Sequence, residues 1–392
     1  MEQNKKSNEL VSFLKNNMRD YMMYIALVVI MLFFQIWSGG KFFKASNISN
    51  LFNQAAYVAV LAIGMTLILI IKHIDLSVGF MAGLCGAVAA LLMEKVGINE
   101  WIAILMVLVV GLLIGFYQGT VITRIGVPAF VVTLAGQFIY RGMLSLSLAK
   151  SGTIVIRQKG FLALCNSFIP DIPHEGNFHI VTMVIGVIAI VLIAFSLLRS
   201  RKKRIQYGFK VISQPMFITE LVLISGVILL VAYVLASYKG LPWSSVIVGV
   251  ILFGYNYMLN KTKLGRYIYG IGGNADAAEL SGVNVNNVTL FVFCSMGVLA
   301  ALSGMLYASR LSSATPQAGL GFETDAIASS YIGGTAVSGG VGKVTNAIIG
   351  TFVIMSLTNG MNLMSVDISY QYIVKGIIFI IAVAFDIASK KK

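Results

Sequence analysis

Apolar runs of about 20 residues, the length at which a helix crosses a bilayer, dominate this sequence. They lie near 21–38, 50–71, 76–93, 101–122, 127–149, 178–198, 216–236, 241–259, 288–308, 345–363 and 370–388, with a weaker Gly/Ser/Thr-rich run at 324–341. Hydrophobic residues make up 58% of the 392 residues and charged residues only 11%, which excludes a soluble fold around one packed core. The sequence predicts an all-α polytopic membrane protein with about twelve transmembrane segments, some short or broken, in one domain over 21–392.

The basic residues predict the orientation of these segments. If the N-terminus is inside and all twelve segments cross, most of the 29 lysines and arginines fall on the cytoplasmic side, as the positive-inside rule expects. A re-entrant 324–341 would instead place the terminal Lys390–Lys392 outside. The first twenty residues are polar and lack a signal-peptide pattern, so 1–20 is expected to be an uncleaved cytoplasmic leader. Both termini are therefore predicted to be cytoplasmic, and the charge of +14, which lies at the ends of apolar runs, indicates no nucleic acid partner.

Two polar interruptions lie within the apolar sequence, at 324–341 and at Lys72–Gly79. Glycine pairs in such segments permit broken helices, and paired broken helices in two halves of a transporter line a central pathway. Small residues also permit close packing of intact helices, so glycine-rich interfaces are an equal alternative. The two segments share too little sequence to predict an internal repeat.

A polar loop at about 261–287 stands out because charged residues are otherwise rare. Gly272-Gly273 is expected to form a tight turn, Asn274 to cap a short helix over Ala275–Leu280, and Gly282 to end that helix. Alanines keep such a helix slim enough to lie in a groove of a soluble partner and transmit its movement. An ordinary capped connector is the alternative.

Sites for catalysis are not indicated. Gly339–Lys343 resembles a phosphate loop, but Val337 replaces its first glycine, Val344 replaces its Ser/Thr and no strand is predicted before it. The three histidines share no ligand spacing with cysteine, and no Gly-x-Ser-x-Gly sequence occurs. We therefore predict no enzyme activity, cofactor or metal in this chain, and any ATP hydrolysis would belong to a separate subunit.

Five short motifs occur in a recognisable order: Ile74–Gly79, Val127–Leu134, Leu264–Asn274, Ala277–Gly282 and Ile332–Thr335. With them the chain, from about 50 to 388, resembles the permease subunit of bacterial monosaccharide ABC importers, the ribose/xylose/galactose family. It departs from that family at Lys72-His73, where Gly-Gly is usual, and at Gln118, where asparagine is usual. Its length and an extra hairpin at about 199–240 make it more similar to the xylose or multiple-sugar permeases than to the ribose ones.

The resemblance implies a transmembrane permease that moves a monosaccharide, xylose or a related pentose or hexose, into the cytoplasm across the bacterial cytoplasmic membrane. The implied partners are a cytoplasmic ABC ATPase subunit, an extracytoplasmic sugar-binding protein docked near 150–177 and 309–323, a second permease copy forming a homodimer, and membrane lipid. The expected ATPase contact comprises Gly265, Arg266, Gly273, Asn274, Ala277, Ala278, Ser281 and Gly282.

An uncharged sugar suits a pathway of polar side chains. The candidates are Asn53, Gln54, Asp75, Ser77, Thr133, Gln137, Arg141, Asn359 and Gln371. Helix–helix hydrogen bonding is the alternative for the uncharged members. Asp75 could instead pair with Lys72 or His73 or cap the helix that begins at Leu76, and Arg141 could snorkel to the interface.

An ion-coupled secondary transporter of a small polar solute is the alternative function. Such proteins carry ionisable groups deep in their spans. We expect no buried pair of acidic residues here, and we expect Arg310 and Lys375 to be interfacial anchors.

Overall fold

The computed structural model describes residues 18–209 and 211–390, and 76% of these residues are helical. The helices are α1 (Met18–Trp37), α2 (Ala45–Ile70), α3 (Val78–Glu94), α4 (Glu100–Thr120), α5 (Ala129–Leu148), α6 (Lys159–Asn166), α7 (Ile180–Gln206), α8 (Gln214–Ala236), α9 (Trp243–Lys261), α10 (Lys263–Gly273), α11 (Ala275–Leu280), α12 (Val285–Leu311), α13 (Phe322–Ile332), α14 (Val344–Leu363) and α15 (Ile368–Lys390). A π-helical turn over Val121–Ile125 extends α4. Two short strands, β1 (Ile154–Val155) and β2 (Ser313–Ala314), pair antiparallel.

Seven helices of the described chain are long and apolar enough to cross a membrane: α2, α4 with its π-turn, α5, α7, α8, α12 and α14. Shorter apolar stretches lie in α1, α3 and α15. The predicted all-α membrane fold is confirmed at this level. Of the predicted leader, only residues 18–20 are described, where they begin α1, and Lys391 and Lys392 also lie outside the described residues.

Each of the twelve predicted apolar segments overlaps one helix, and the weak segment 324–341 differs most from its helix. In the weak segment 324–341 only α13 is helical, and its eleven residues span about 16 Å, roughly half of the hydrocarbon core. Gly333 and Gly334 end this helix, and 333–343 is irregular. The hairpin predicted at about 199–240 is instead the packed helix pair α7 and α8, which spans Ile180–Ala236.

Two helices, α2 and α12, form the centre of the bundle and run antiparallel. The pairing of Ser303 Oγ with the Tyr57 carbonyl and the packing of Gly64 on Met296 establish this direction. Nearly all of α2 is buried by other helices. Small residues permit the close approach, since Gly304 of α12 lies directly against the backbone of Ala82 in α3.

The helices α2–α3 and α12–α13 form two units with inverted arrangement. In each unit a long helix is followed by an irregular segment and a short helix. The short helix of each unit packs along the long helix of the other, α3 on α12 and α13 on α2. Inverted units of this kind are common in transporters, where they place broken helices at the bundle centre.

Candidate functional site

The first broken segment lies between α2 and α3. The chain leaves α2 at Ile71, takes a left-handed conformation at Lys72 (φ 63°) and runs without regular structure to Ser77. The His73 ring lies 6.1 Å from the ring of Phe293 in α12. Because Ala82 of α3 lies against Gly304 of α12, α3 begins near the middle of α12.

The second broken segment, 312–321, leads into α13. The ring of Phe322 at the start of α13 is 4.8 Å from that of Tyr57, near the middle of α2. Further along, Ser330 Oγ lies 3.2 Å from both Thr66 Oγ1 and the Ala62 carbonyl oxygen. The helix α13 therefore starts at the mid-depth of the bundle and runs toward the C-terminal end of α2.

The two short helices begin at the same place, where Gly79 meets Gly319. A Cβ atom on Gly79 would overlap the Gly319 carbonyl oxygen and Glu323 Oε2, and a Cβ on Gly319 would overlap the Gly79 carbonyl oxygen. Gly319 also has a φ of +91°, which disfavours other residues. Only glycine at both positions allows the starts of α3 and α13 to approach so closely.

Asp75 lies four residues before Gly79, in the irregular segment that leads into α3, and is fully buried. Its Oδ1 accepts hydrogen bonds from the backbone N–H of Ser77 (2.9 Å) and from Ser77 Oγ (2.6 Å). Its Oδ2 has no hydrogen-bond partner among the described residues. The local interaction with Ser77 is as expected, but the helix begins at Val78, and the suggested pair with Lys72 is wrong because Lys72 Nζ donates to the carbonyl oxygen of Gly273 (3.1 Å).

Glu323 approaches the contact of Gly79 with Gly319 from the first turn of α13 and is only 8% exposed. Its Oε1 lies 3.5 Å from Gln137 Nε2, while Oε2 touches Gly79 and has no hydrogen-bond partner in the described chain. Acidic groups suit a helix N-terminus because its partial charge is positive. Glu323 and Asp325, two residues apart in the first turn of α13, are both buried, so the expectation that the spans contain no buried acidic pair is wrong.

Helices α4 and α5 complete the arrangement. Gln118 Nε2 donates to Ser77 Oγ (2.8 Å), and Gln118 Oε1 and the buried Tyr140 hydroxyl lack partners among the described groups. A Cβ on Gly136 would lie 2.8 Å from Gln118 Nε2 and 3.1 Å from the Tyr140 ring. We call Asp75, Ser77, Gln118, Gln137, Tyr140 and Glu323 the polar junction.

The polar junction unites several predicted pathway residues with others that the sequence did not indicate. Asp75, Ser77 and Gln137 belong to it, and Thr133 adjoins it through a 3.2 Å hydrogen bond to the Ile74 carbonyl. Sequence reasoning missed Glu323 because the weak apolar run was taken to begin one residue after it. Gln118 was noticed only as a departure from the family pattern.

The remaining uncharged candidates lie away from the polar junction and make helix–helix hydrogen bonds, the alternative role given for them above. They make hydrogen bonds between helices or helix ends: Asn53 Oδ1 with Ser244 Oγ (2.6 Å), Asn359 Nδ2 with Gln54 Oε1 (3.4 Å), and Gln371 Nε2 with Asn362 Oδ1 (2.8 Å). These contacts indicate packing roles for Asn53, Gln54, Asn359 and Gln371 in this conformation.

Three basic residues placed near span ends have different environments. Arg141 is exposed, with its guanidinium 5.5 Å from the centre of the Phe80 ring. Arg310 Nη2 donates to Asn50 Oδ1 (3.3 Å). Lys375 is not an interfacial anchor, because its Nζ lies 2.9 Å from Oδ1 of the buried Asp325 and joins α15 to α13.

The predicted coupling segment comprises α10 and α11. Helix α11 has the predicted limits, Asn274 Oδ1 caps it by accepting from the Ala277 N–H (3.1 Å), and Gly282 follows it with a φ of 84°. The predicted tight turn at Gly272-Gly273 is wrong, because both residues end helix α10. Gly272 instead permits close contact with the Ile70 carbonyl and the backbone of Gly340.

The residues of the predicted ATPase contact differ in their exposure. Six of its members are exposed, whereas Gly265 and Ala278 are buried; the exposed members are Arg266, Gly273, Asn274, Ala277, Ser281 and Gly282. Leu280, which the sequence prediction omitted, is 90% exposed at the end of α11. Leu280 is therefore accessible to a soluble partner at this end of the bundle.

The coupling segment contacts the irregular 333–343 that follows α13. Tyr269 of α10 donates its hydroxyl to the Gly342 carbonyl (2.7 Å), and the Gly340 N–H donates to the Ile70 carbonyl at the end of α2 (2.9 Å). Gly272 packs on the backbone of Gly340. A continuous set of contacts thus joins α11, through α10 and 333–343, to α13 and the polar junction.

At the opposite end of the bundle, residues 150–177 pack against 309–314, and the chain then leads inward to Gly319. The β1–β2 pair joins the two segments, and Asn166 Nδ2 donates to the Ser309 carbonyl (2.6 Å). The sequence predicts 150–177 and 309–323 as the docking region for a binding protein.

Comparison with known proteins identifies the family. Residues 47–383 match the family described as branched-chain amino acid transport system / permease component. The chain belongs to this permease family. The permease is a multi-pass membrane protein by its family and its apolar helices. No solved structure matches it.

The curated relatives of the permease include sugar permeases. It is 36% identical over 376 residues to the xylose transport system permease protein XylH of Escherichia coli (strain K12), covering 96% of this chain and 93% of the relative. It has the same identity to XylH of Haemophilus influenzae, covering 96% and 98%. It is 32% identical to the ribose import permease protein RbsC of Escherichia coli (strain K12), covering 88% and 87%. The resemblance to monosaccharide importer permeases is confirmed.

Proposed function

We propose that this permease moves a monosaccharide, xylose or a related pentose or hexose, into the cytoplasm as the membrane subunit of an ABC importer. The names of the relatives support the sugar. The observation that carries the mechanism is the continuous contact from the exposed α11 to the closed polar junction. A soluble motor that moves α11 would move α13 and thereby act on the centre of the bundle.

The motor is a separate subunit in this proposal. Gly339–Lys343 serves as packing backbone against Ile70 and α10, which accounts for its glycines without a nucleotide. A partner ATPase would contact Leu280 and the exposed residues of the coupling segment. Binding and hydrolysis of ATP would shift α10–α11 relative to the end of α2.

The proposed topology follows from these assignments. All twelve segments contribute to crossing the bacterial cytoplasmic membrane, with α13 crossing about half of it and α3, about 25 Å long, most of it, and both termini are cytoplasmic. The α11 end then faces the ATPase, and the surface of 150–177 and 309–314 faces a sugar-binding protein outside. A second copy of the permease would complete the channel-forming core.

The test is reconstitution of the permease with its ATPase and binding protein in proteoliposomes. We expect sugar-loaded binding protein to stimulate ATP hydrolysis and ATP-driven sugar uptake. Leu280→Asp should abolish stimulation by removing the apolar contact and adding a charge. Phe209→Asp is the matched control, since Phe209 is 65% exposed in the connection between α7 and α8. Equal loss in both variants, or in neither, would contradict the assigned contact.

One observation favours the ion-coupled alternative: the buried Asp75 and Glu323. Uptake that survives ATP depletion and collapses with a protonophore would establish ion coupling and overturn the proposed ATP-driven import. Uptake that stops on ATP depletion and tolerates the protonophore supports the importer.

A further inference from the structure

Four of the ten buried side-chain polar atoms that lack hydrogen-bond partners in the described chain lie at the polar junction. Among the described residues, Asp75 Oδ2, Gln118 Oε1, the Tyr140 hydroxyl and Glu323 Oε2 are buried and lack hydrogen bonds. Buried polar atoms are normally satisfied, so a group of unpaired ones at one position requires an explanation. The four side chains come from the segment before α3 and from α4, α5 and α13, so no single helix accounts for them.

The chemistry of these atoms defines a complementary ligand. The two carboxylate oxygens and the amide oxygen accept hydrogen bonds, and the Tyr140 hydroxyl both donates and accepts. A ligand that satisfies them must carry several donors close together. A monosaccharide does so, because each hydroxyl can donate one hydrogen bond.

The charges nearby favour a neutral ligand. Lys72 is directed to the Gly273 carbonyl, Lys375 is paired with Asp325, and the exposed Arg141 lies over the Phe80 ring. No ion pair to Asp75 or Glu323 occurs among the described residues. Two carboxylates without a cation in a low-dielectric interior repel an anion such as a sugar phosphate.

Aromatic rings lie beside the junction. Phe322, next to Glu323, is 4.8 Å from the rings of both Tyr57 and Tyr307, and those two rings are 5.1 Å apart. Sites for small organic ligands combine such apolar walls with a few polar groups that fix orientation. The contact of Gly79 with Gly319 closes the site in this conformation, and movement of α13 through 333–343 would open it.

We propose that the polar junction is a transient binding site for a neutral monosaccharide, in which Asp75, Glu323 and Gln118 accept hydrogen bonds from the sugar hydroxyls. This rests on the proposed function and adds the position of the sugar and its class, neutral and unphosphorylated. The starts of α3 and α13 separate to admit the sugar and close behind it. The binding protein selects the sugar, and the junction holds it during passage.

The test compares Asp75→Asn and Glu323→Gln with wild type in the reconstituted importer, with Asp367→Asn as the control. Both junction variants keep the shape of the side chain and replace a carboxylate oxygen with an amide nitrogen. Loss of a hydrogen bond to a charged acceptor predicts at least about 10-fold less sugar transported per ATP hydrolysed. ATP hydrolysis stimulated by loaded binding protein should stay near wild type. Asp367 is acidic but lies in the connection between α14 and α15, so its variant should transport normally.

Deoxy analogues of the sugar provide a readout that a purely structural role would not change. At saturating loading of the binding protein, wild type should transport an analogue lacking the bound hydroxyl more slowly than the sugar. In the matching junction variant this discrimination should disappear, because the variant has already lost the acceptor. If a variant does not fold, Gln118→Met removes one acceptor without changing charge and should show the same uncoupling.

The possible results distinguish a failure of the proposed binding site from a failure of the proposed function. Wild-type uptake driven by ATP, together with junction variants that transport like wild type, overturns the site alone. Wild type without ATP-driven sugar uptake overturns the proposed function, and the site with it. Junction variants that keep discrimination against the deoxy analogue while losing transport also overturn the site, since they indicate a structural defect.

Discussion

At the residue scale, the contact between Gly79 and Gly319 defines the site. Each position excludes a Cβ because the backbone of the other segment occupies the space. The sequence places Gly79 at the end of the polar interruption Lys72–Gly79 and Gly319 in the predicted docking segment 309–323. It could not show that they touch, because 240 residues separate them and the two segments share almost no pattern.

We predict that Gly79→Ala destabilises the permease by about 1–3 kcal/mol, the usual cost of forcing a methyl group into a packed site. Thermal unfolding in detergent measures the change. Gly142→Ala is the control, because a Cβ there meets no atom within 4 Å. Equal melting temperatures for Gly79→Ala and wild type would show that the starts of α3 and α13 are not in contact.

The pair of Lys375 and Asp325 is a second residue-scale feature that the sequence concealed. Lys375 was expected at an interface because it lies near the end of a predicted span. Its partner Asp325, 50 residues away on α13, was not apparent from the sequence. We predict that Lys375→Met costs about 3–5 kcal/mol, since it leaves a buried carboxylate unpaired.

The double variant Asp325→Leu with Lys375→Met should recover most of that loss, because two apolar groups then replace the pair. Unfolding midpoints of the two single variants and the double variant measure the coupling. Additive losses in the double variant would mean that the two side chains do not interact in the native protein.

At the scale of elements, the coupling segment was the most predictable part. Asn274, Ala275–Leu280 and Gly282 carry a local capping pattern, and the structure has that helix at the same limits. The contact of α10 with 333–343 was not predictable, because Gly272 and Gly340 fit by backbone shape rather than by side-chain type.

We predict that Tyr269→Phe reduces stimulated ATP hydrolysis about fivefold, which corresponds to the loss of one hydrogen bond of about 1 kcal/mol, the bond to Gly342. Binding of the ATPase subunit should be unchanged. Tyr267→Phe, on the same helix and with Tyr267 39% exposed, is the matched control. If both variants behave like wild type, movement does not pass through this hydrogen bond.

The start of α7 is held by Asp171, whose carboxylate accepts from the N–H groups of Ile180 (3.0 Å) and Val181 (2.9 Å). Partial desolvation raises the pKa of Asp171, but backbone hydrogen bonds from Val181, Ile172 and Ile180 outweigh it and hold the pKa below the ordinary 3.8. A lowered pKa in the folded state means that the stabilisation is present above pH 3.8 and is lost as the pH falls through the folded value.

We therefore predict that Asp171→Ala speeds amide hydrogen exchange in the first turn of α7 at neutral pH. Asp367, whose pKa is lowered by hydrogen bonds from the Ser369 side chain and backbone, provides the control variant Asp367→Ala at the start of α15. That control should leave exchange in α7 unchanged. Unchanged exchange in α7 of Asp171→Ala would show that the cap does not stabilise the helix.

At the scale of the whole molecule, composition and run length predicted the all-α class and the approximate place of every large helix. The sequence did not predict how deeply each residue lies in the bundle, because that depth depends on the neighbouring helices that pack around α3 and α13. The burial of Glu323 and Asp325 follows from that depth. For this reason Glu323 was missed, and four of the nine predicted pathway residues, Asn53, Gln54, Asn359 and Gln371, make hydrogen bonds away from the junction.

The most direct test of the central claim, that the polar junction opens when the ATPase acts on α11, is thiol labelling at Ser77. In a background without Cys85, Cys165 and Cys294, the Ser77→Cys permease would be exposed to a water-soluble maleimide. We predict slow labelling in the resting complex, since Ser77 is fully buried, and much faster labelling during ATP turnover with loaded binding protein. Equal labelling rates in the two states, in a complex that transports sugar, would contradict it.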